Sequence, residues 1–225
     1  MQAIIIFIGV THLVYENEKV AKAVTAVLAE NKGKRKFKQS VDIAINFRDI
    51  DFNKPENRIT LEVTLPYAPR PVEVAVFADG QLAVDIKKLV PLVIGSEQIP
   101  SYASDKKKQK ELLKYSLLSQ TQLMAAVGKS LGQVLGSKGK LPKPIMPNAN
   151  LADVVEKAKR SVTLRTKGKY LPVVHCLVGN EGMTDAQVAE NTVAVIDAIK
   201  HKTTEGKIKS IYIKTTMGKP VAVAA

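Results

Sequence analysis

A chain of 225 residues has room for one large domain or two modest ones, and its 45% hydrophobic content supports a packed core rather than disorder. Thirty-four Lys and Arg against 21 Asp and Glu give a net charge of +13, which favours a polyanionic partner such as nucleic acid or an acidic membrane surface. The single cysteine, Cys176, excludes an internal disulfide and suits a reducing compartment.

The chain opens on an apolar run, Ala3 to Val10. It is too short for a bilayer, which needs ~20 residues. A signal peptide would need a basic stretch ahead of it, where only Met1 and Gln2 stand. Two readings remain: a packed strand, or an apolar turn leading into a helix. From Glu16 to Glu30 the recurrence of Val20, Ala23, Val24 and Val27 predicts a helix. The basic stretch Lys32 to Lys38 follows. Val41, Ile43, Ile45 and Phe47 then alternate with more polar residues as in a half-buried strand, and after the Asn53-Lys54-Pro55 break Ile59, Leu61, Val63 and Leu65 alternate again.

Pro66, Pro69 and Pro71 mark a linker. Beyond it the pattern changes. A nearly continuous apolar strand spans Val72 to Ala78, a helix lies near Gln81 to Leu89, and a short strand occupies Leu92 to Ile94. Asp105 to Lys114 reads as a basic helix and Ser116 to Leu118 as another short strand. Ser119 with Gln122 suggests a capping box for a helix ending near Leu135. Short apolar strands alternating with helices imply a small parallel sheet covered on both faces. The Gly-, Pro- and Lys-rich segment 136–148 marks a second linker. The remainder reads as strands at Val162–Leu164 and Val173–Val178, a helix capped by Thr184 and Gln187 and running to about Lys200, and a final strand at Ile208 to Thr215.

The first part alone has one helix and two strands, a poor core, and the last part has similar elements. Two proline-rich linkers flank a self-sufficient α/β unit. The economical arrangement has the outer parts folding together around an inserted middle.

Catalytic patterns are weak. Gly128-Lys129-Ser130 echoes the end of a phosphate-binding loop, but such a loop needs glycine where Leu123 stands. His175 and Cys176 are neighbours on a predicted strand, so they point to opposite faces and cannot readily share a metal. Neither a carboxylate pair nor a nucleophile–histidine set stands out. Two segments suit nucleic acid instead. Lys32, Lys34, Arg35, Lys36 and Lys38 carry five positive charges around Phe37, which either stacks on a base or opens the core of the next strand. After the last strand, Lys214-Thr215-Thr216-Met217-Gly218-Lys219-Pro220 offers hydroxyls, amides and a glycine that would permit close backbone approach to RNA.

The run KTTMGKP resembles the C-terminal signature of the ribosomal protein L1 family. LGQVLGSKGKLPKPIMPN is similar to the family's LGPxLGPRGKMPxPxxPN segment, KFKQSVDIAINF to its N-terminal strand motif, and MTDAQVAENTVAVIDAI to its C-terminal helix. These matches span about Lys32 to Pro220 in family order, and lie nearest the archaeal and eukaryotic branch. Gln133 and Ser137 replace prolines usual in the family, which implies a looser inter-domain loop; residues 1–12 match no family element.

The resemblance implies an α+β chain of two domains: a discontinuous RNA-binding domain I of residues 1–66 and 158–225, interrupted by an inserted three-layer, Rossmann-like α/β domain II of residues 67–157. It implies a non-enzymatic protein without cofactor or metal, cytoplasmic and ribosome-associated. That protein binds large-subunit ribosomal RNA on the mobile L1 stalk beside other large-subunit components, accompanies exit-site transfer RNA, and in many members represses its own messenger RNA. Carried over by position, RNA contacts fall on Arg35, Lys36, Phe37, Lys38, Lys167, Lys214, Thr215, Thr216, Met217, Gly218 and Lys219. Lys138 and Lys140, with Lys106, Lys107 and Lys108, would give secondary contacts. Charge fits this only partly: the nets are +2 for residues 1–66, +5 for 67–157 and +6 for 158–225. Alternatives are a non-ribosomal L1-domain protein of ribosome assembly, and an enzyme built on the middle domain.

Overall fold

The computed structural model describes residues 2–52, 54, 57–146, 150–166, 171–203 and 207–223, with side chains from residue 17 onward. In chain order the elements are α1 (Gln2–Asn31), β1 (Ser40–Phe47), β2 (Thr60–Thr64), β3 (Val74–Phe77), α2 (Gly80–Ile86), β4 (Leu92–Ile94), α3 (Ile99–Ser104), α4 (Lys106–Leu112), β5 (Ser116–Gln120), α5 (Met124–Ser137) and β6 (Lys143–Ile145). They continue with α6 (Leu151–Arg160), β7 (Ser161–Arg165), β8 (Val173–Asn180), α7 (Asp185–Lys202), β9 (Ile208–Thr215) and β10 (Val221–Val223). The chain forms two compact units, one of Met1–Arg70 with Ser161–Ala225 and one of Pro71–Arg160.

The first unit is built on β1. Its alternating residues place Val41, Ile43, Ile45 and Phe47 in the core while Ser40, Asp42, Ala44 and Asn46 stay half-buried. Such a strand is well suited to the middle of a sheet with one covered face, and β1 pairs antiparallel with β8 on one side and β9 on the other, in the order β10-β9-β1-β8. The core comes from Val20, Val24, Val27 and Leu28 of α1 and Val188, Val195, Ile196 and Ile199 of α7. The two-stranded antiparallel pair β2–β7 adds Val63 and Leu164. Helix α7 starts with the expected capping box: Thr184 Oγ1 accepts from the Gln187 amide at 3.3 Å, and Gln187 Oε1 accepts from the Thr184 amide at 3.2 Å.

Ala3 to Val10 is neither strand nor turn; α1 runs through it. No proline interrupts Gln2 to Asn31, and once a helix is nucleated each added residue costs little. The helix ends where Asn31 Nδ2 donates back to Val27 O at 2.9 Å and Gly33 adopts φ 75°, left-handed backbone suited to glycine.

Tyr67 and Pro69 belong with this unit by their hydrogen bonds. Tyr67 N donates to Asn191 Oδ1 and Asn191 Nδ2 returns a bond to Tyr67 O, both at 3.0 Å, while Asn180 Nδ2 donates to Pro69 O at 2.9 Å.

The second unit has an all-parallel sheet, ordered β4-β3-β5-β6, with helices on both faces. All four residues of β3 are buried. Val74 and Val76 join a core with Ile86 and Val155, whereas Ala75 and Phe77 join Ile99, Leu112, Val127 and Leu131 on the other face. Four expectations change here. The Ser119–Gln122 capping box is absent: Ser119 is held in the ladder between Phe77 and Pro144, its hydroxyl bonds Gln120 O, and α5 begins only at Met124. Within 136–148, Lys143–Ile145 is an edge strand rather than linker, and Pro144 is tolerated because an edge strand has one unpaired side. Helices α3 and α6 are additional; α6 presents Leu151, Val154, Val155 and Ala158 as one apolar stripe. Gln133 and Ser137 lie inside α5, not in a loop. Gly128-Lys129-Ser130 also sits inside α5, where its amides serve the helix.

Candidate nucleic-acid interface

Two surface segments meet at the start of β1. The first leaves α1 through Gly33 and forms a run of bends in which Lys32, Lys34, Arg35, Lys36, Phe37 and Lys38 are all exposed. Phe37 is 52% exposed and the strand starts only at Ser40, so Phe37 precedes the core rather than opening it. The second is the turn between β9 and β10. Gly218 N donates to Thr215 O at 3.2 Å, closing a four-residue turn that leaves Thr216 and Met217 outside, Met217 at 60% exposure.

Hydrogen bonds across the sheet join the two. Thr216 N donates to Ser40 O at 3.0 Å, and Thr216 Oγ1 accepts from Ser40 N at 3.1 Å. Met217 N donates to Oε1 of the buried Gln39 at 3.0 Å. The result is a fixed ledge carrying a thioether, an aromatic ring and several cations, without an apolar cover. Cations can neutralise phosphates, and the two apolar groups can pack on bases or sugars.

Arg35, Lys36, Phe37, Lys38, Thr216, Met217 and Lys219 are exposed on this ledge, and Gly218 is half-buried within it. Gly218 is required by the fold itself. A Cβ there would lie 2.6 Å from Asn31 Nδ2 and closer still to Thr215 Oγ1, so the glycine lets the turn seat on its own support. Thr215 must be corrected. It is fully buried, continuing the inward alternation of Ile213, and its Oγ1 finds no partner among the described residues. Its side chain therefore supports the turn from beneath. Lys214 is half-buried on the opposite face of β9, in register with Asp42. Burial raises the Asp42 carboxyl above its ordinary range, opposed by Lys214 and His175. Lys167 lies outside the described residues.

In the second unit Lys138 is exposed, as are Lys106 and Lys107. Lys140 is a correction: its Nζ donates to the carbonyls of Leu113 and Tyr115, so the ammonium serves the chain's own backbone. Lys108 donates to Ser101 Oγ at 2.8 Å and lies over the Tyr102 ring. Gln39 and Glu181, which brace the ledge, carry no sequence signal: both are polar residues whose burial follows from a contact 142 positions apart.

Among the described residues no group of three or more His, Cys, Asp or Glu could hold a metal, and no helix is long and apolar enough to cross a membrane. Cys176 is buried in the core while His175 is exposed, the opposite faces expected of strand neighbours. Burial pushes the Cys176 thiol up to about 12.

Comparison with known proteins agrees with the motifs. A model of the ribosomal protein L1p/L10e family matches residues 26–219. The large ribosomal subunit protein uL1 of Pyrococcus abyssi is 40% identical over 215 residues, covering 93% of this chain and 97% of the relative. That of Pyrococcus horikoshii is 39% identical over 219 residues, covering 95% and 99%, and that of Thermoplasma volcanium 38% over 209 residues, covering 91% and 95%. With the matched span embracing both the basic loop and the Thr-Met-Gly turn, the chain belongs to the ribosomal protein L1p/L10e family.

Proposed function

We propose that this chain is a structural constituent of the large ribosomal subunit, not an enzyme, and that its first unit binds large-subunit ribosomal RNA at the L1 stalk. The observation that carries this reading is the ledge. Phe37 and Met217 are exposed beside a cluster of cations, on backbone held by Gln39 and Ser40. Exposed apolar groups on braced backbone suit recognition of a fixed RNA shape; lysines alone would suit diffuse attraction. In this reading the first unit is the RNA-binding domain and the second an inserted domain, whose Lys106, Lys107 and Lys138 give secondary contacts. The stalk site would let the protein accompany exit-site transfer RNA beside other large-subunit components. The same ledge would accept a similar fold in its own messenger RNA and repress translation. A cytoplasmic, ribosome-associated protein follows.

The test is affinity for in-vitro-transcribed large-subunit ribosomal RNA at two salt concentrations, with its own messenger RNA as competitor. Met217→Ala should cost more than Lys34→Ala at both. Truncating a buried contact removes ~1–3 kcal/mol, whereas a single exposed phosphate contact contributes less and is screened by salt. A larger loss for Lys34→Ala at both salts would contradict shape recognition. Binding of the RNA without co-sedimentation with mature large subunits would favour a role in assembly instead.

A further inference from the structure

We propose that the buried pair Gln39–Glu181 is the positioning device of the RNA surface, acting through the Met217 amide; the inference rests on the RNA-binding reading above. Gln39 is 1% exposed and Glu181 8%. Glu181 grips Gln39 at three points. Its Oε1 accepts from Gln39 Nε2 at 2.7 Å, its Oε2 accepts from Gln39 N at 3.2 Å, and its amide donates to Gln39 O at 3.0 Å. Gln39 Nε2 also reaches Asn31 O at 3.4 Å, at the end of α1. Only Gln39 Oε1 then remains, and it accepts from Met217 N at 3.0 Å.

The carboxylate decides which way the Gln39 amide faces. A flipped amide would put Oε1 against Glu181 and a donor against the Met217 N–H, two repulsions in a buried site. One side chain thus joins the end of α1, the turn after β8 and the turn after β9. Because the backbone N and O of Gln39 are bonded as well, it also fixes where Lys38 and Phe37 leave the sheet. Gln39 need not touch RNA. It sets the relation between the basic loop and the Met217 turn, and loss of that relation exposes the same chemical groups in the wrong arrangement.

The experiment uses the full chain and in-vitro-transcribed large-subunit ribosomal RNA of Pyrococcus abyssi, well below the melting temperature of every variant. Gln39→Glu sets two carboxylates face to face and should weaken binding about tenfold or more. The exchange Gln39→Glu with Glu181→Gln keeps the wild-type charge and restores complementarity at every contact but the 3.4 Å one to Asn31 O: the carboxylate now at position 39 would accept from both Met217 N and the side-chain amide now at position 181. It should bind within about threefold of wild type. Combining Met217→Ala with Gln39→Glu should give much less than the product of the two single losses, because both act on one turn. A role in folding alone would lower the melting temperature yet leave the folded protein's affinity unchanged. The Met217 amide resonance, followed without RNA, should move in Gln39→Glu and return in the exchange. An exchange variant as weak as Gln39→Glu, or a Met217 amide that never moves, overturns the proposal. Wild-type protein that does not bind this RNA overturns the RNA-binding reading itself, a result distinct from failure of the variants alone.

Discussion

Gly218 shows how a residue suited to contact is required first by its own fold. Its backbone lies against Asn31 and Thr215, where a methyl group would overlap both side chains. Gly218→Ala should displace the Met217 turn and reduce RNA affinity at least about tenfold, ~1.4 kcal/mol. Unchanged affinity by filter binding would show that the turn can shift without consequence. Cys176 illustrates the opposite case, chemistry suppressed by packing. Its thiol ionises near 12 in the folded chain against 9.0 ordinarily, so it should resist thiol reagents until the protein unfolds. The folded state holds the proton more tightly than the unfolded one. This contribution to stability is therefore complete below about 9 and is lost as pH rises toward about 12. Urea unfolding across that range, beside Cys176→Ala, checks it. The opposed facing of His175 and Cys176 was legible in the sequence because strand alternation is local. The inward facing of Thr215 could have been read the same way from Ile211 and Ile213. The Gln39–Glu181 pair could not, because only the folded sheet brings the two together.

At the scale of elements, the strongest local signals survived and the weakest did not. The alternation of β1 and the Thr184–Gln187 box are each complete within a few residues, and both appear in the structure. The Ser119–Gln122 pattern has the same letters as a capping box, yet Ser119 is claimed by two neighbouring strands. A ladder in a buried parallel sheet satisfies several backbone groups at once, whereas a cap satisfies one or two. Pro144 in β6 and the α1 extension were hidden for a similar reason: edge position and helix continuity are not written in composition. Thr184→Ala should destabilise the first unit by ~1 kcal/mol through loss of the α7 cap, with RNA affinity of the folded protein nearly unchanged. A thermal scan showing no shift would mean that packing of Val188 and Val195 alone fixes the helix start.

For the whole molecule, proline placement and the change of hydrophobic pattern made a second unit legible, while hydrogen bonds on Tyr67 and Pro69 tie the first proline-rich stretch to the first unit. Thr64 of β2 pairs directly with Ser161 of β7, so the strands that flank the second unit in sequence are paired within the first. Joining Arg70 to Ser161 through a short glycine-rich linker should therefore leave a folded protein. RNA affinity should fall by less than about tenfold, ~1.4 kcal/mol. An unfolded product would show that the first unit depends on the second.

If the loop at 32–38 and the turn at 214–219 form one RNA-reading surface, photocrosslinking of the intact chain to total cellular RNA, with both partners identified at each crosslink, will join them to the same RNA. The expected result is peptides containing Phe37 and Met217, joined to one locus of large-subunit ribosomal RNA. Crosslinks confined to residues 71–160, or RNA fragments spread without preference across the transcriptome, would contradict it.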